Sequence, residues 1–302
     1  MSKITYNKVH TPPNDLITLL KLRGLTISDE TRAERYLLNI GYYRLSAYCY
    51  PLLKHPKESH RYKQDATFDK VIDMYRFDKK LRLLVFNEVE KIEVAIRSVI
   101  VNTACEYYGD IFWMTKSTNF SNSHYFTKFT TDLTVDLKKS SEDFITHFNT
   151  KYSNPYPPAW IIAETLSLGT ICHMYKNISD KTLKKQIAKK FNLQPKVFES
   201  WIMTLAGVRN ICCHHSRLWN RGLRLKPVVP NKVYKPWLCD VNKIDVHRVY
   251  YRLCIIKYLL SSIITKSSLK DKINNLLTEF PNIDILAMGF TADWINEPLW
   301  ND

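Results

Sequence analysis

Apolar residues recur every three or four positions along most of this chain, which is the period of an amphipathic helix. The longest such run covers residues 68–108 and contains neither glycine nor proline. Its apolar positions keep the helical spacing: Leu81, Leu84, Val85, Val89, Ile92, Ile96, Val99 and Ile100. Glu93 and Arg97 stand four residues apart and are predicted to pair on the helix surface. So long a span is predicted to break into two helices or to form one long helix with a bend.

The same period, together with glycine and proline signals, predicts further helices along the chain. They are expected over 13–22, from Ser28, from about Tyr125, from Pro158 through Glu164 towards Tyr175, from Ser179 to near Phe191, from Pro195, over 246–265 and over 267–280. Residues 42–53 fit a helix or a strand, and residues 55–65 are predicted to form a charged loop. Only seven glycines occur, which disfavours a turn-rich β architecture, so the sequence predicts an all-α fold.

The 302 residues suffice for one large domain or two ordinary ones. Residues 1–65 are predicted to form an N-terminal, mostly helical and aromatic-rich extension. Residues 66–280 are predicted to form the main helical domain, and residues 281–302 a C-terminal tail.

The composition is that of a globular protein, with 45% hydrophobic and 24% charged residues. A net charge of +15 suits a nucleic acid or an anionic membrane surface as partner. The aromatic residues, 13% of the chain, are interpreted mainly as core, with base stacking as the alternative. No apolar stretch approaches the ~18 residues of a membrane span, and no signal-peptide pattern begins the chain, so a cytoplasmic protein is expected. The seven scattered cysteines are expected to be reduced thiols.

The most chemically informative segment is 209–215, with the sequence Arg-Asn-Ile-Cys-Cys-His-His. Cleavage of RNA without a metal needs a base for the 2′-OH and an acid for the leaving 5′-oxygen, and it yields a 2′,3′-cyclic phosphate. His214 can serve in either role, because histidine transfers protons near neutral pH. Arg209 can hold the non-bridging phosphate oxygens as charge builds up on them. Asn210 is expected to orient the backbone or the histidine.

The spacing of this motif within a helix leaves its site incomplete. At about 100° per residue, Arg209 and His214 lie about 140° apart on an ideal helix, whereas Asn210 and His214 lie about 40° apart. Either the helix ends near Cys212, or the motif faces a cleft that a second copy completes. Residues 209–221 contain three arginines, two histidines and two asparagines, which sets this motif apart from a chance R-x4-H match.

Three segments of the chain carry a family resemblance. They are IGYYRLSAYCYPL at 40–52, PPAWIIAETLSLGTICHMY at 157–175 and VRNICCHHSRLWNR at 208–221. Together they resemble the N-terminal motif, the central segment and the signature of the abortive-infection (Abi) proteins of the AbiD/AbiF type. These are bacterial phage-defence proteins assigned to the HEPN superfamily. The resemblance runs from about Leu16 to about Leu277. Cys213 and Ala47 depart from it, because the family favours a small residue such as alanine and a glycine there.

The resemblance implies an all-α HEPN-type helical bundle that dimerises and cleaves RNA without a metal or another cofactor. The R-x4-6-H motif of such ribonucleases falls on Arg209, Asn210 and His214. Some Abi proteins of this type are similar to toxins held in check by a small RNA. The chain is therefore expected to be a growth-arresting endoribonuclease in phage defence. Its expected partners are RNA as substrate, a small non-coding RNA as inhibitor or guide, and a second copy that makes the catalytic residues composite.

Four further residues near the motif have two interpretations each. His215 is either a second catalytic histidine or a histidine that packs inward, and inward packing is slightly favoured. Glu164 either hydrogen-bonds the motif arginine or histidine or is a carboxylate on a helix surface. Arg217 and Arg221 are expected to contact phosphate or to form salt bridges.

Remaining features narrow the choice of function. Tyr43 and Arg44 are candidates for an RNA-contacting edge, although a packed aromatic cluster is favoured there. Zinc binding within 212–215 is disfavoured, because contiguous side chains point in different directions. The sequence contains no phosphate loop, dinucleotide fingerprint, H-E-x-x-H or G-x-S-x-G motif.

The alternative function is a non-catalytic RNA-binding protein that uses the same basic surface. An interaction protein whose motif only mediates dimerisation is a further alternative.

Overall fold

The computed structural model describes residues 5, 7 and 9–301. Within these residues the chain forms twelve α-helices, with short 3-10 helices and isolated β-bridges in the connections and no strand. The helices are α1 Pro13–Leu22, α2 Glu30–Ile40, α3 Tyr42–Cys49, α4 Phe68–Tyr108, α5 Ser123–Lys139, α6 Asp143–Lys151, α7 Ala159–Thr165, α8 Leu168–Asn177, α9 Lys181–Lys190, α10 Pro195–Cys213, α11 Val249–Ile263 and α12 Leu269–Glu279. The predicted all-α fold is confirmed.

Helix α4 is one continuous element, so the alternative of two helices is wrong. Without glycine or proline, nothing in the sequence interrupts the ladder of i→i−4 hydrogen bonds. The predicted apolar face is buried at Leu81, Val85, Val89, Ile92, Ile96 and Ile100. Residues 42–53 form α3 and a 3-10 turn, so the strand alternative is also wrong.

The stretch from Pro158 to Tyr175 does not form the single helix that was predicted. Helix α7 ends at Thr165 and α8 begins at Leu168. Ser167 separates them as the N-cap of α8, because its side-chain oxygen accepts a hydrogen bond from the N–H of Thr170 at 3.1 Å. This break leaves the last carbonyl groups of α7 available to another donor.

The chain divides into two compact units. The first unit runs to Leu81 and includes Leu276–Ile283, and the second comprises Arg82–Asn275 and the residues from Asp284. These bounds differ from the predicted parts 1–65, 66–280 and 281–302, because the division falls inside the continuous helix α4. The described residues from 284 onward belong to the second unit, where the buried ring of Trp300 stacks on that of Tyr250.

Helix α10 occupies the centre of the second unit, with α8, α9 and α11 packed against it. Helix α11 is buried at every position from Val249 to Leu260. Aromatic rings fill the space between these two helices: Trp201 lies 5.1 Å from Trp237 and 5.3 Å from Tyr258, measured between ring centroids. These rings are buried core, as was favoured for most aromatic residues. Their packing fixes α10, whose C-terminal end carries the motif.

Candidate functional site

The predicted motif lies at the C-terminal end of α10. This helix begins at Pro195, as predicted, with the proline in its first turn, where a missing N–H costs no helical hydrogen bond. It ends at Cys213, which agrees with the predicted alternative of a helix that stops near Cys212. Arg209 and Asn210 therefore belong to the last helical turns, and His214 is the first residue beyond them.

The helix is closed by a turn in which His215 takes a position that normally favours glycine. The backbone of His215 is left-handed, with φ 54°. Its N–H donates to the carbonyl of Cys212 at 3.1 Å, and the N–H of Ser216 donates to the carbonyl of Ile211 at 3.0 Å. These two bonds form a Schellman motif, in which the left-handed residue is usually glycine. The side chain of His215 is exposed, so the favoured inward packing is wrong.

Arg209 is held by a carboxylate from helix α4. The Nε of Arg209 lies 3.7 Å from Oε2 of Glu93, and the two side chains are 35% and 15% exposed. Among the described residues this Nε has no hydrogen-bond partner, although it is closed to water. The contact is therefore an ion pair, and it fixes the guanidinium on the side of α10 that faces α4.

Glu93 is in turn held by Arg97, one helical turn further along α4. Nη2 of Arg97 lies 3.0 Å from Oε1 of Glu93. Nη1 of Arg97 donates to the carbonyl oxygens of Leu166, at 2.8 Å, and Ala163. These are the end carbonyls of α7, so Arg97 caps that helix.

The predicted pairing of Glu93 with Arg97 is thus confirmed, but its predicted place on the helix surface is wrong. Arg97 is only 12% exposed, because the end of α7 covers it. The negative charge of Glu93 also reaches α8, where burial and this charge raise the pKa of Cys172 to about 12. We call the connected set of Glu93, Arg97 and Arg209 the arginine relay.

The sequence alone does not reveal the role of this relay in the site. The spacing of Glu93 and Arg97 revealed their pairing. The contact of Glu93 with Arg209 joins residues more than a hundred positions apart, and that of Arg97 joins it to the end of α7. Neither contact has a signal in the local sequence.

Asn210 and His214 face outward beside the relay. Both residues are exposed, and neither side chain makes a hydrogen bond to a residue that the structure describes. The backbone N–H of His214 donates to the carbonyl of Asn210 at 3.0 Å, as in a regular helical turn. The side chain of Asn210 therefore does not orient the histidine within one chain. Likewise, no hydrogen bond or ion pair joins Arg209 to His214 in residues 9–301.

Glu164 does not belong to this site. It is exposed on α7 and makes no hydrogen bond or ion pair within the described part of the chain. The interpretation in which it bonds the motif arginine or histidine is therefore wrong, and the alternative of a surface carboxylate holds. The contact with the end of α7 is made instead by Arg97.

The predicted RNA-binding residues lie in two places. Arg217 and Arg221 are half-buried in the loop after α10, and Nη1 of Arg221 donates to the carbonyl of Arg217 at 3.4 Å. Tyr43 and Arg44 belong to the first unit and are both exposed, Tyr43 to 94%. Tyr43 is thus not part of a packed aromatic cluster, which was the favoured interpretation.

The cysteines of the motif are not placed as metal ligands. Cys212 is buried and Cys213 half-buried, and all seven cysteines are free thiols. Within the described residues no three His, Cys, Asp or Glu side chains form a group that could hold a metal ion. Among all the residues that the structure describes, no helix is long and apolar enough to cross a membrane.

Comparison with known proteins identifies the family. No curated protein and no solved structure matches the chain. A family model described as Abi-like protein matches residues 35–220, which is more than half of the 302 residues. The match includes the segments at 40–52 and 157–175 and the motif as far as Asn220, and it stops one residue before Arg221. This chain belongs to the Abi-like family, which is named after abortive infection, a form of phage defence.

Proposed function

We propose that this protein is a metal-independent endoribonuclease of the HEPN type, in which Arg209 and His214 act on one RNA phosphate. One observation carries the proposal: at the end of α10, a guanidinium aligned by Glu93 stands five residues before an exposed imidazole that makes no hydrogen bond to any described residue. A group that can hold phosphate charge and a group that can transfer a proton are therefore presented by one helix end.

In the proposed reaction, a neutral imidazole of His214 accepts the proton of a ribose 2′-OH. The 2′-oxygen forms a bond to the adjacent phosphorus, and the bond from phosphorus to the 5′-oxygen breaks. An imidazolium returns a proton to this 5′-oxygen, which leaves as a 5′-OH, while the other fragment ends in a 2′,3′-cyclic phosphate. Arg209 stabilises the charge on the non-bridging oxygens through paired donors. Asn210, exposed beside both residues, is proposed to hold the RNA backbone.

The biological role that we propose is growth arrest during phage infection. Membership of the Abi-like family supports a role in abortive infection, in which the cutting of cellular RNA would stop growth. A net charge of +15 supports an RNA partner. We propose that this basic protein also binds a small non-coding RNA, which restrains the enzyme in the cytoplasm.

The test is cleavage of a mixed RNA pool in EDTA by protein freed of co-purified RNA. We expect the wild type to produce 2′,3′-cyclic phosphate ends, because His214 and Arg209 need no metal for this chemistry. His214→Ala should reduce the cleavage rate by about 10²–10⁴-fold, the usual contribution of a general acid or base. Arg209→Ala should reduce it by about 10²–10³-fold. His124→Ala removes an exposed histidine from α5 and is the matched control, with unchanged activity.

Two results would count against the proposal. Equal cleavage by wild type and His214→Ala would assign the activity to a contaminating nuclease. Tight RNA binding that both substitutions weaken, without cleavage by any form, would favour the alternative of a non-catalytic RNA-binding protein. Identification of RNA that co-purifies with the full-length protein then becomes the informative measurement.

A further inference from the structure

A small cavity lies on a different side of the motif helix from Arg209. It has a volume of about 150 Å³, is lined by α10, the loop after it and α11, and opens to the surface. Gly207 and Ile211 line it from α10. Each stands about 160° around an ideal helix from Arg209, so the cavity is separate from the arginine relay.

Three arginines line this cavity, and none of its described lining residues is acidic. Arg221 and Arg224 come from the loop, and Arg252 comes from α11. Asp245 is the carboxylate whose charge acts on Arg252, and it already lies 3.3 Å from Nε of Arg248. Three cations around one small space repel one another unless an anion joins them.

Arg252 provides the strongest sign of a missing ligand. Its side chain is 1% exposed, and its Nη2 donates to the carbonyl of Leu225. Its Nε and Nη1 are closed to water and have no hydrogen-bond partner among the described residues. Buried polar groups are almost always satisfied, and a buried guanidinium with two open donors is a rare exception. Burial lowers the pKa of Arg252 only to about 10, so the group is still a cation at neutral pH.

The size of the cavity limits what can fill it. Sites for small organic ligands usually measure about 300–1,000 Å³, and this cavity is well below that range. Gly207 keeps its wall open, because a Cβ there would approach Cδ1 of Leu225 to 3.3 Å. Glycine is unfavourable inside a helix, so its presence is consistent with a need for space. A tetrahedral oxyanion offers several acceptors in a small volume and matches the fork of an arginine.

We infer that this cavity binds a single phosphate group through Arg252, Arg224 and Arg221. The phosphate belongs either to an RNA chain or to a free anion, and both sources offer the same oxygens. Its assignment to RNA rests on the proposed function, whereas phosphate binding itself does not. With RNA bound, this site holds a second phosphate while Arg209 engages the one that is cleaved.

The first arm of the test uses inorganic phosphate and the full-length protein at constant ionic strength. Titration calorimetry should show saturable binding of one phosphate per chain. Arg224→Ala removes an exposed arginine and should weaken the affinity at least about tenfold without loss of fold. Arg252→Lys keeps the positive charge but loses the paired N–H donors of the guanidinium. It should weaken phosphate binding to a similar extent. Arg35→Ala, an exposed arginine on α2, is the control and should bind normally.

The second arm uses single-stranded RNA and the His214→Ala protein, so that cleavage does not interfere. Saturating phosphate should weaken RNA binding, and Arg224→Ala should do the same. An RNA affinity that does not change when phosphate is added would overturn the assignment to RNA. The cavity would then bind a free anion. Absence of saturable phosphate binding, or equal affinity in the Arg224→Ala and control proteins, would overturn the inference itself. Neither result depends on whether the wild type cleaves RNA.

Discussion

His215 combines an exposed imidazole with a backbone conformation that is costly for any residue with a Cβ. At φ 54° it closes α10, and an L residue there is disfavoured by roughly 1 kcal/mol relative to glycine. Strained residues of this kind are concentrated at functional sites. The strain therefore motivates a direct test of whether the imidazole is retained for function.

We predict that His215→Gly increases the free energy of unfolding by about 0.5–1 kcal/mol, because glycine accepts the left-handed conformation without strain. Urea denaturation of the two proteins measures this difference. His215→Ala loses the same imidazole but keeps a Cβ, so it should show no such gain. Equal stability of the Gly and Ala variants would contradict the strain argument. Comparison of cleavage by His215→Gly and His215→Ala with that by the wild type then reports on the loss of the imidazole.

At the scale of elements, the sequence predicted most helices and missed what connects them. Helix α4 could be predicted because apolar spacing and the absence of glycine and proline are local signals. The break at Ser167, the N-cap of α8, could not be predicted in this way, because the apolar spacing continues across it. The contacts of Arg97 with the end of α7 and of Glu93 with Arg209 join distant segments. Only the folded chain brings them together, so periodicity alone gives no information about them.

The arginine relay makes a prediction at this scale, because Glu93 pairs with Arg209 of α10 and with Arg97, which contacts the end of α7. Glu93→Gln leaves two arginines without their carboxylate in a partly buried place. We expect it to lower the free energy of unfolding by about 1–3 kcal/mol. It should also lower RNA cleavage roughly tenfold or more, since Arg209 loses its alignment. Urea denaturation and the cleavage rate under conditions where the variant is folded measure the two effects.

The matched control for this prediction is Asp132→Asn. Asp132 pairs with Lys128 at 3.0 Å with the same four-residue spacing, but both side chains are exposed. An exposed pair contributes little, so stability should change by less than about 0.5 kcal/mol and cleavage should be unchanged. If Glu93→Gln behaved like this control, the relay would not position Arg209.

At the scale of the whole molecule, one chain does not join the two groups that the proposed reaction needs. The imidazole that accepts and then returns the proton and the arginine that holds the phosphate charge must reach the same phosphate. Arg209 is held against α4, while His214 lies beyond the helix end, and no hydrogen bond or ion pair joins the two among the described residues. A homodimer with two-fold symmetry would form two equal sites, each with Arg209 of one subunit beside His214 of the other. We therefore propose that Arg209 of one subunit acts with His214 of the other.

Mixed dimers test this arrangement. One subunit carries Arg209→Ala, the other carries His214→Ala, and different affinity tags on the two allow the heterodimer to be isolated. Each homodimer should be inactive. In the heterodimer, one site combines the intact Arg209 of the second subunit with the intact His214 of the first, so about half of the wild-type activity should return. An inactive heterodimer would place Arg209 and His214 of one subunit in the same site. A mass in solution of 35.6 kDa for active protein, that of a single chain, would rule out the shared site altogether.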